Sequence, residues 1–179
     1  MKKLVLSFCL FFLTVSITAQ QRAVAAKAIL EAAYKKATAE NKNVLLLFHA
    51  SWCGWCHKMD SSINNPSCKK FFTDNYIITH LVVHESTEKK HLENAGADDL
   101  LKKYKAFDSG IPFWVVLDKN GNFLHDSFMK NTDGSSANIG CPASAEEVAA
   151  FVKILKASSS LTNKELAVIA EIFKKNEQH

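Results

Sequence analysis

The most constraining stretch is Trp52-Cys53-Gly54-Trp55-Cys56-His57, set directly behind the apolar run Val44-Leu45-Leu46-Leu47-Phe48. An unbroken apolar run of this length reads as a strand buried on both faces, at the centre of a covered sheet. Lys58 to Ile63 then has helical spacing. A strand that delivers two cysteines onto the first turn of a helix has chemical consequences. Residues three apart on a helix lie on one side, with Cα atoms roughly 5–6 Å apart, within disulfide range. The helix N-terminus adds unpaired N–H groups and a partial positive charge, which stabilise a thiolate. Cys53, nearer that end, is expected to have the lower pKa and to be the attacking sulfur. Cys56, one turn in and expected to be the more buried, is the resolving sulfur.

The remaining chain supplies a frame for that unit. Residues 21 to 41 are rich in Ala, Lys and Glu with Val24, Ile29, Leu30, Ala33 and Ala37 at helical spacing, which predicts an amphipathic helix. After the helix from Gly54, with Met59 and Ile63 behind Cys56, Asn64-Asn65-Pro66 interrupts and a short helix restarts near Ser67, carrying Phe71 and Phe72 inward. Tyr76 to His84 reads as a strand, Glu85 to Gly96 as a charged, solvated loop or frayed turn, and Asp98 to Lys105 as a short helix. Ser109-Gly110-Ile111-Pro112 leads into the strand Phe113 to Leu117, its proline at the strand's start, where a missing N–H does least harm. Asn120-Gly121 predicts a hairpin returning through Phe123 to Asp126. Residues 127 to 143 read as irregular. Ser144-x-x-Glu147 and Thr162-x-x-Glu165 are capping boxes that open two closing helices. This order of elements argues an α/β chain with a mixed sheet between helical layers.

The N-terminus carries a second signal. Lys2-Lys3 precedes the apolar run Leu4 to Ile17, followed by small and polar Thr18-Ala19-Gln20. This pattern predicts a signal peptide over residues 1–19 and an exported chain, periplasmic or secreted, whose only dealing with a membrane is through that segment. The chain has 22 basic and 18 acidic residues. Removing 1–19 takes two lysines and leaves 20 against 18, a balance that gives no reason to propose a nucleic-acid partner. It also leaves Cys53, Cys56, Cys68 and Cys141, too few to staple a chain this long, so the core must come from burial.

Two separated motifs, Ala50-Ser51-Trp52-Cys53-Gly54-Trp55-Cys56 after a hydrophobic strand and Gly110-Ile111-Pro112 before a later one, resemble the thioredoxin superfamily. Tyr104 ahead of that proline and Asp118-Lys119-Asn120-Gly121 after it also fit. The resemblance implies a thioredoxin fold, with core residues about 43–157, an extra N-terminal helix and a C-terminal helix extension at 162–176, all within a single domain over 20–179. It implies thiol–disulfide oxidoreductase activity with Cys53 as nucleophile and Cys56 as resolving thiol. Pro112 would be a cis-proline facing the pair. Trp52, Gly54, Trp55 and the backbone of Ile111 would contact the substrate. The partners implied are disulfide-containing proteins and a redox donor, met by a monomer. No cofactor is called for beyond the Cys53–Cys56 disulfide itself.

The sequence departs from the family where a buried acid often sits six residues before the first cysteine; here that residue is Leu47. His49 stands where tryptophan is frequent, and Trp55 replaces the usual proline between the cysteines. His49 and His57 are therefore candidates for proton handling. Three rival readings use the same residues. Cys53-x-x-Cys56-His57 also spells a c-type haem attachment sequence, but the fully apolar strand before it and the Gly110-Ile111-Pro112 motif have no role in a cytochrome. A zinc site lacks a second ligand pair to close its coordination, so no metal is expected. A binding or chaperone module is the non-enzymatic alternative, which retention of both cysteines disfavours. A Cys68–Cys141 bridge is geometrically awkward; free or structural thiols are expected there, with Cys141 in a loop able to approach the active-site end.

Overall fold

The computed structural model describes residues 23–178. The segment read as a signal peptide lies outside the described residues. Among them, no helix is long and apolar enough to cross a membrane.

Four strands form one mixed sheet in the order β2-β1-β3-β4, where β1 is Asn43–His49, β2 Tyr76–Val82, β3 Phe113–Leu117 and β4 Phe123–Asp126. β1 runs parallel to β2 and antiparallel to β3, and β3 pairs antiparallel with β4. Five successive residues of β1 and all five of β3 are buried, because helices cover both faces. The strand alternation sorts their side chains into two cores. Val44, Leu46 and Phe48 pack with Phe113, Val115 and Leu117 beneath α1 (Ala26–Glu40) and α4 (Ala97–Lys103). Leu45 and Leu47 pack with Trp114 and Val116 beneath α2 (Gly54–Ile63), α3 (Lys69–Asn75), α5 (Ala145–Ser158) and α6 (Asn163–Lys174). Phe72, Phe151 and Phe173 meet in this second core with ring centroids 4.9 to 6.3 Å apart. The C-terminal helix is thus part of the same core as the sheet. The chain has a thioredoxin-like fold, a four-stranded mixed sheet flanked by helices with additional helices at both ends.

Both capping boxes form. Ser144 and Thr162 each accept from the backbone N–H of the glutamate three residues on, which returns its side chain to the cap. Gly121, at φ 85°, turns the β3–β4 connection, where a Cβ would fall 2.8 Å from the Tyr34 ring.

Two expectations are corrected. Residues 127–143 are not irregular throughout: β5 (Phe128–Lys130) and β6 (Ser136–Asn138) pair antiparallel in a separate hairpin. Its strands are three residues long and mostly polar at Ser136 to Asn138, so no hydrophobic alternation marks them. The second strand ends at Val82, and His84 lies beyond it at φ 53°. The segment after it is solvated from Ser86 to Leu92, as expected, but it is pinned near both ends. It contains a 3-10 turn over Thr87–Leu92 and is held by Glu85 and Asn94, both buried. Asn94 accepts from Val82 N–H and donates to Val24 O, joining the end of β2 to the residues before α1.

Candidate active site

β1 ends at His49, and a tight turn through Ala50 and Ser51 brings Cys53 to the N-cap of α2. Cys53 is therefore one residue ahead of the first turn, and only Cys56 lies within the helix. The pair forms a disulfide with Cα atoms 5.2 Å apart. Cys53 and Cys56 are 3 % and 2 % exposed, so burial does not separate them as expected. Position does. Cys56 N–H points at Cys53 Sγ at 3.1 Å, an N–H bond that favours negative charge on Cys53 once the pair is reduced. Among the described residues no equivalent N–H is directed at Cys56 Sγ.

Ile111 faces the pair. Its carbonyl oxygen is 3.6 Å from Cys53 Sγ, its side chain packs with Ala50, Cys53 and Cys56, and the Ile111–Pro112 peptide is cis. Trp52 and Trp55 stand beside the sulfurs at 60 % and 47 % exposure. The Trp52 indole N–H donates to His84 O at 2.8 Å, and Lys58 Nζ lies 4.3 Å from the centroid of Trp55. Both rings thus present apolar faces in fixed positions. A Cβ on Gly54 would meet open space, so packing does not demand glycine there.

The turn before Cys53 is held by a carboxylate that charge patterning alone did not single out. Glu85 accepts from Ser51 N–H at 2.6 Å and from Ser51 Oγ–H at 2.8 Å. His57 lies against the same turn. Its Nε2 is 3.0 Å from Ser51 O, and since a carbonyl only accepts, Nε2 carries the proton.

His49 belongs to a different group. Its ring centroid is 5.0 Å from that of His80, and His80 Nε2 is 2.8 Å from Asp60 Oδ1. Burial pushes the His49 pKa down, and the neighbouring His80 adds to this. Burial opposes charge on Asp60, but the His80 hydrogen bond and the charges of His80, His49 and His57 outweigh it and hold the carboxyl below its ordinary value. Asp60 was not anticipated. A polar residue one turn after Cys56 on α2 was the available signal. His80 and His84 serve different partners: His80 bonds Asp60, while His84 Nε2 lies 3.9 Å from Asp98.

Cys68 and Cys141 are buried and free. Cys68 donates to Ser62 O, and Asn176 Nδ2 lies 3.4 Å from Cys141 Sγ. Burial pushes their pKa values up to about 11 and about 12, leaving both as unreactive thiols at neutral pH. Cys141 nevertheless lines a cleft of about 250 Å³ with Trp55, Ile111 and Pro112. No cluster of three metal-ligating side chains occurs among the described residues.

A Cys-x-x-Cys disulfide at a helix N-cap, on a thioredoxin-like sheet, defines the class: a protein disulfide oxidoreductase of the thioredoxin superfamily. The chain belongs to the Thioredoxin-like family, which it matches over residues 25–119. No curated protein matches it. Among solved structures it is similar to a disulphide isomerase from Xylella fastidiosa Temecula1, at 19 % identity over 84 % of this chain and 90 % of that one, TM-score 0.48. It is also similar to a DsbH oxidoreductase, at 21 % identity over 79 % and 85 %, TM-score 0.45. A third likeness is the oxidised DsbD C-terminal domain of Neisseria meningitidis, at 25 % identity over 58 % and 84 %, TM-score 0.39.

Proposed function

We propose that the protein is an exported thiol–disulfide oxidoreductase that reduces or rearranges disulfides in other proteins. The observation that carries this reading is the Cys53–Cys56 disulfide at the N-cap of α2, with Cys53 Sγ 3.6 Å from Ile111 O.

In the reduced protein, Cys53 thiolate attacks one sulfur of a substrate disulfide, and the other leaves as a thiolate that takes up a proton. The substrate is then bonded to Cys53. Cys56 loses its proton, attacks the Cys53 sulfur and expels the second substrate thiolate. The substrate has gained two electrons and two protons; the protein is left with the Cys53–Cys56 disulfide and needs a dithiol donor to restore it. Cys56 N–H stabilises the attacking and departing Cys53 thiolate. The backbone N–H and C=O of Ile111 hold an extended substrate segment as an added strand would be held, with Pro112 fixing the approach. Trp52 and Trp55 supply the apolar flanks, and Gly54 leaves the path to the sulfurs open. With Leu47 in place of an acid, proton handling falls to His49, through the His80–Asp60 pair, and to His57 at the mouth of the site. The basic start and apolar run at Lys2 to Ile17 support export, with disulfide-bearing proteins of that compartment as partners of the monomer.

Insulin reduction by dithiothreitol, followed by turbidity, tests the activity. Acceleration by the protein and its loss in Cys53→Ser is the expected result; equal rates with and without the protein would overturn the reading. Mass analysis of the exported form should show a start near Gln20, whereas a full-length chain retained in the cytoplasm would refute export.

A further inference from the structure

Asn138, at the end of β6, reaches the segment that faces the cysteines. Its Nδ2 lies 3.0 Å from Pro112 O, 3.1 Å from Gly110 O and 3.3 Å from Ser109 O. Its Oδ1 accepts from Ser127 Oγ–H at 2.7 Å and from Gly140 N–H at 3.0 Å. The amide is saturated: two protons shared among three carbonyls, and both oxygen lone pairs engaged. The orientation is unambiguous, because a flipped amide would set its oxygen against three carbonyl oxygens. Ser127 is fully buried and ties the assembly to β3: its Oγ accepts from Trp114 N–H, and its own N–H donates to Trp114 O. Gly140 O in turn accepts the Trp114 indole N–H at 2.8 Å. The β5–β6 hairpin is therefore bolted to the base of β3 and holds the preceding residues 109–112 from the side.

We propose that Asn138 is a positioning residue for polypeptide substrates, acting through the Ser109–Pro112 segment. This rests on the oxidoreductase reading above. Three consecutive features support it. The segment it grips contains Ile111, whose carbonyl lies beside Cys53. The three carbonyls bonded by Asn138 are drawn to one side, which leaves the Ile111 carbonyl on the sulfur side. Asn138 also lines the cleft beside Trp55, Ile111 and Pro112, so its side chain bounds the surface on which a polypeptide would lie. Without the amide, residues 109–112 lose the three carbonyl bonds to Asn138 and keep only the Ser109 Oγ bond to Ala106 O and the Cys53 contact at Ile111 among the described side-chain hydrogen bonds, so the edge offered to a substrate samples more than one position.

The test is Asn138→Asp and Asn138→Ala in the full chain, with steady-state insulin reduction, the Cys53–Cys56 reduction potential and a urea unfolding curve for each. Asn138→Asp keeps an acceptor for Ser127 and Gly140 but faces three carbonyls with oxygen. KM for insulin should rise about tenfold, the effect of about one lost charge-free hydrogen-bonding frame, while kcat stays within about twofold. The potential should be unchanged, since the contact is to the backbone and not to sulfur. A purely structural role would instead lower kcat in proportion to the unfolded fraction and leave KM fixed. If Asn138→Asp does not fold, Ser127→Ala, which frees the amide from its other end, should raise KM about threefold. An unchanged KM in a folded variant, or a shifted potential, would overturn the proposal alone. A wild-type protein without insulin reduction would overturn the oxidoreductase reading and this inference with it.

Discussion

Reducing the Cys53–Cys56 bond should weaken the fold, and the size of the loss follows from the site. The bond closes a ring of four residues, Cys53 to Cys56. Constraining a ring that small in the unfolded chain stabilises the folded protein by about 2 kcal/mol on the chain-entropy account. Reduction opposes this by creating a Cys53 thiolate at a helix N-cap with Cys56 N–H directed at it, worth about 0.3–1 kcal/mol. Burial of both cysteines works against that charge. The oxidised form should therefore be more stable by about 1–2 kcal/mol, or about 3–6 °C in Tm for a chain of this size. Cys68 and Cys141 do not confuse the comparison, since both are buried free thiols in either state. By linkage, the same free energy is the preference of the folded chain for its own disulfide over that of the unfolded chain, about tenfold. That sign makes the pair more reducing in the folded chain than the same two cysteines in the unfolded chain. Urea unfolding with and without dithiothreitol, read by circular dichroism, measures it. A reduced form as stable as the oxidised one, or more so, would refute the reasoning and point to an oxidant.

Other perturbations probe the supports of the site. Glu85→Ala strips Ser51 N–H and Oγ–H of their acceptor next to Cys53 and should cost about 1–3 kcal/mol in urea unfolding; a cost near zero would show the turn to be self-supporting. Phe173→Ala removes a fully buried ring packed on Phe72 and Phe151 and should cost about 3–5 kcal/mol in one cooperative transition, whereas an early separate transition would show α6 to be an appendage. His49 titrates below its ordinary value of 6.5 in the folded chain, so the unfolded chain binds the extra proton first as pH falls. Its contribution to stability is full above pH 6.5 and declines below it towards the folded value, and His49→Gln should flatten that part of the unfolding profile. An unaltered profile would remove His49 from the account.

What the sequence disclosed was local or periodic. The apolar runs of β1 and β3, the Asn120-Gly121 hairpin, the two capping boxes and the Cys-x-x-Cys spacing each act through neighbours in the chain, and each forms. What it concealed depends on residues far apart. Glu85 looks solvated by composition, yet a backbone N–H 34 residues away draws it inside. Asp60 and His80 meet across 20 residues, between α2 and β2, where neither has a periodic signature. Asn138 lies in a Gly-, Ser- and Asn-rich stretch that reads as loop, and only the folded position of Ser109 to Pro112 gives its amide three carbonyls to hold. The supports of a catalytic pair are polar tertiary contacts, and such contacts leave no repeat to read.

The most direct measurement is an equilibrium titration of the protein against a glutathione redox buffer, with thiol alkylation and mass analysis of the Cys53–Cys56 peptide. A single reversible two-electron transition, confined to that peptide and lost in Cys53→Ser, is the predicted result. A pair that stays oxidised or reduced across the whole range, or a transition that survives Cys53→Ser, would contradict it.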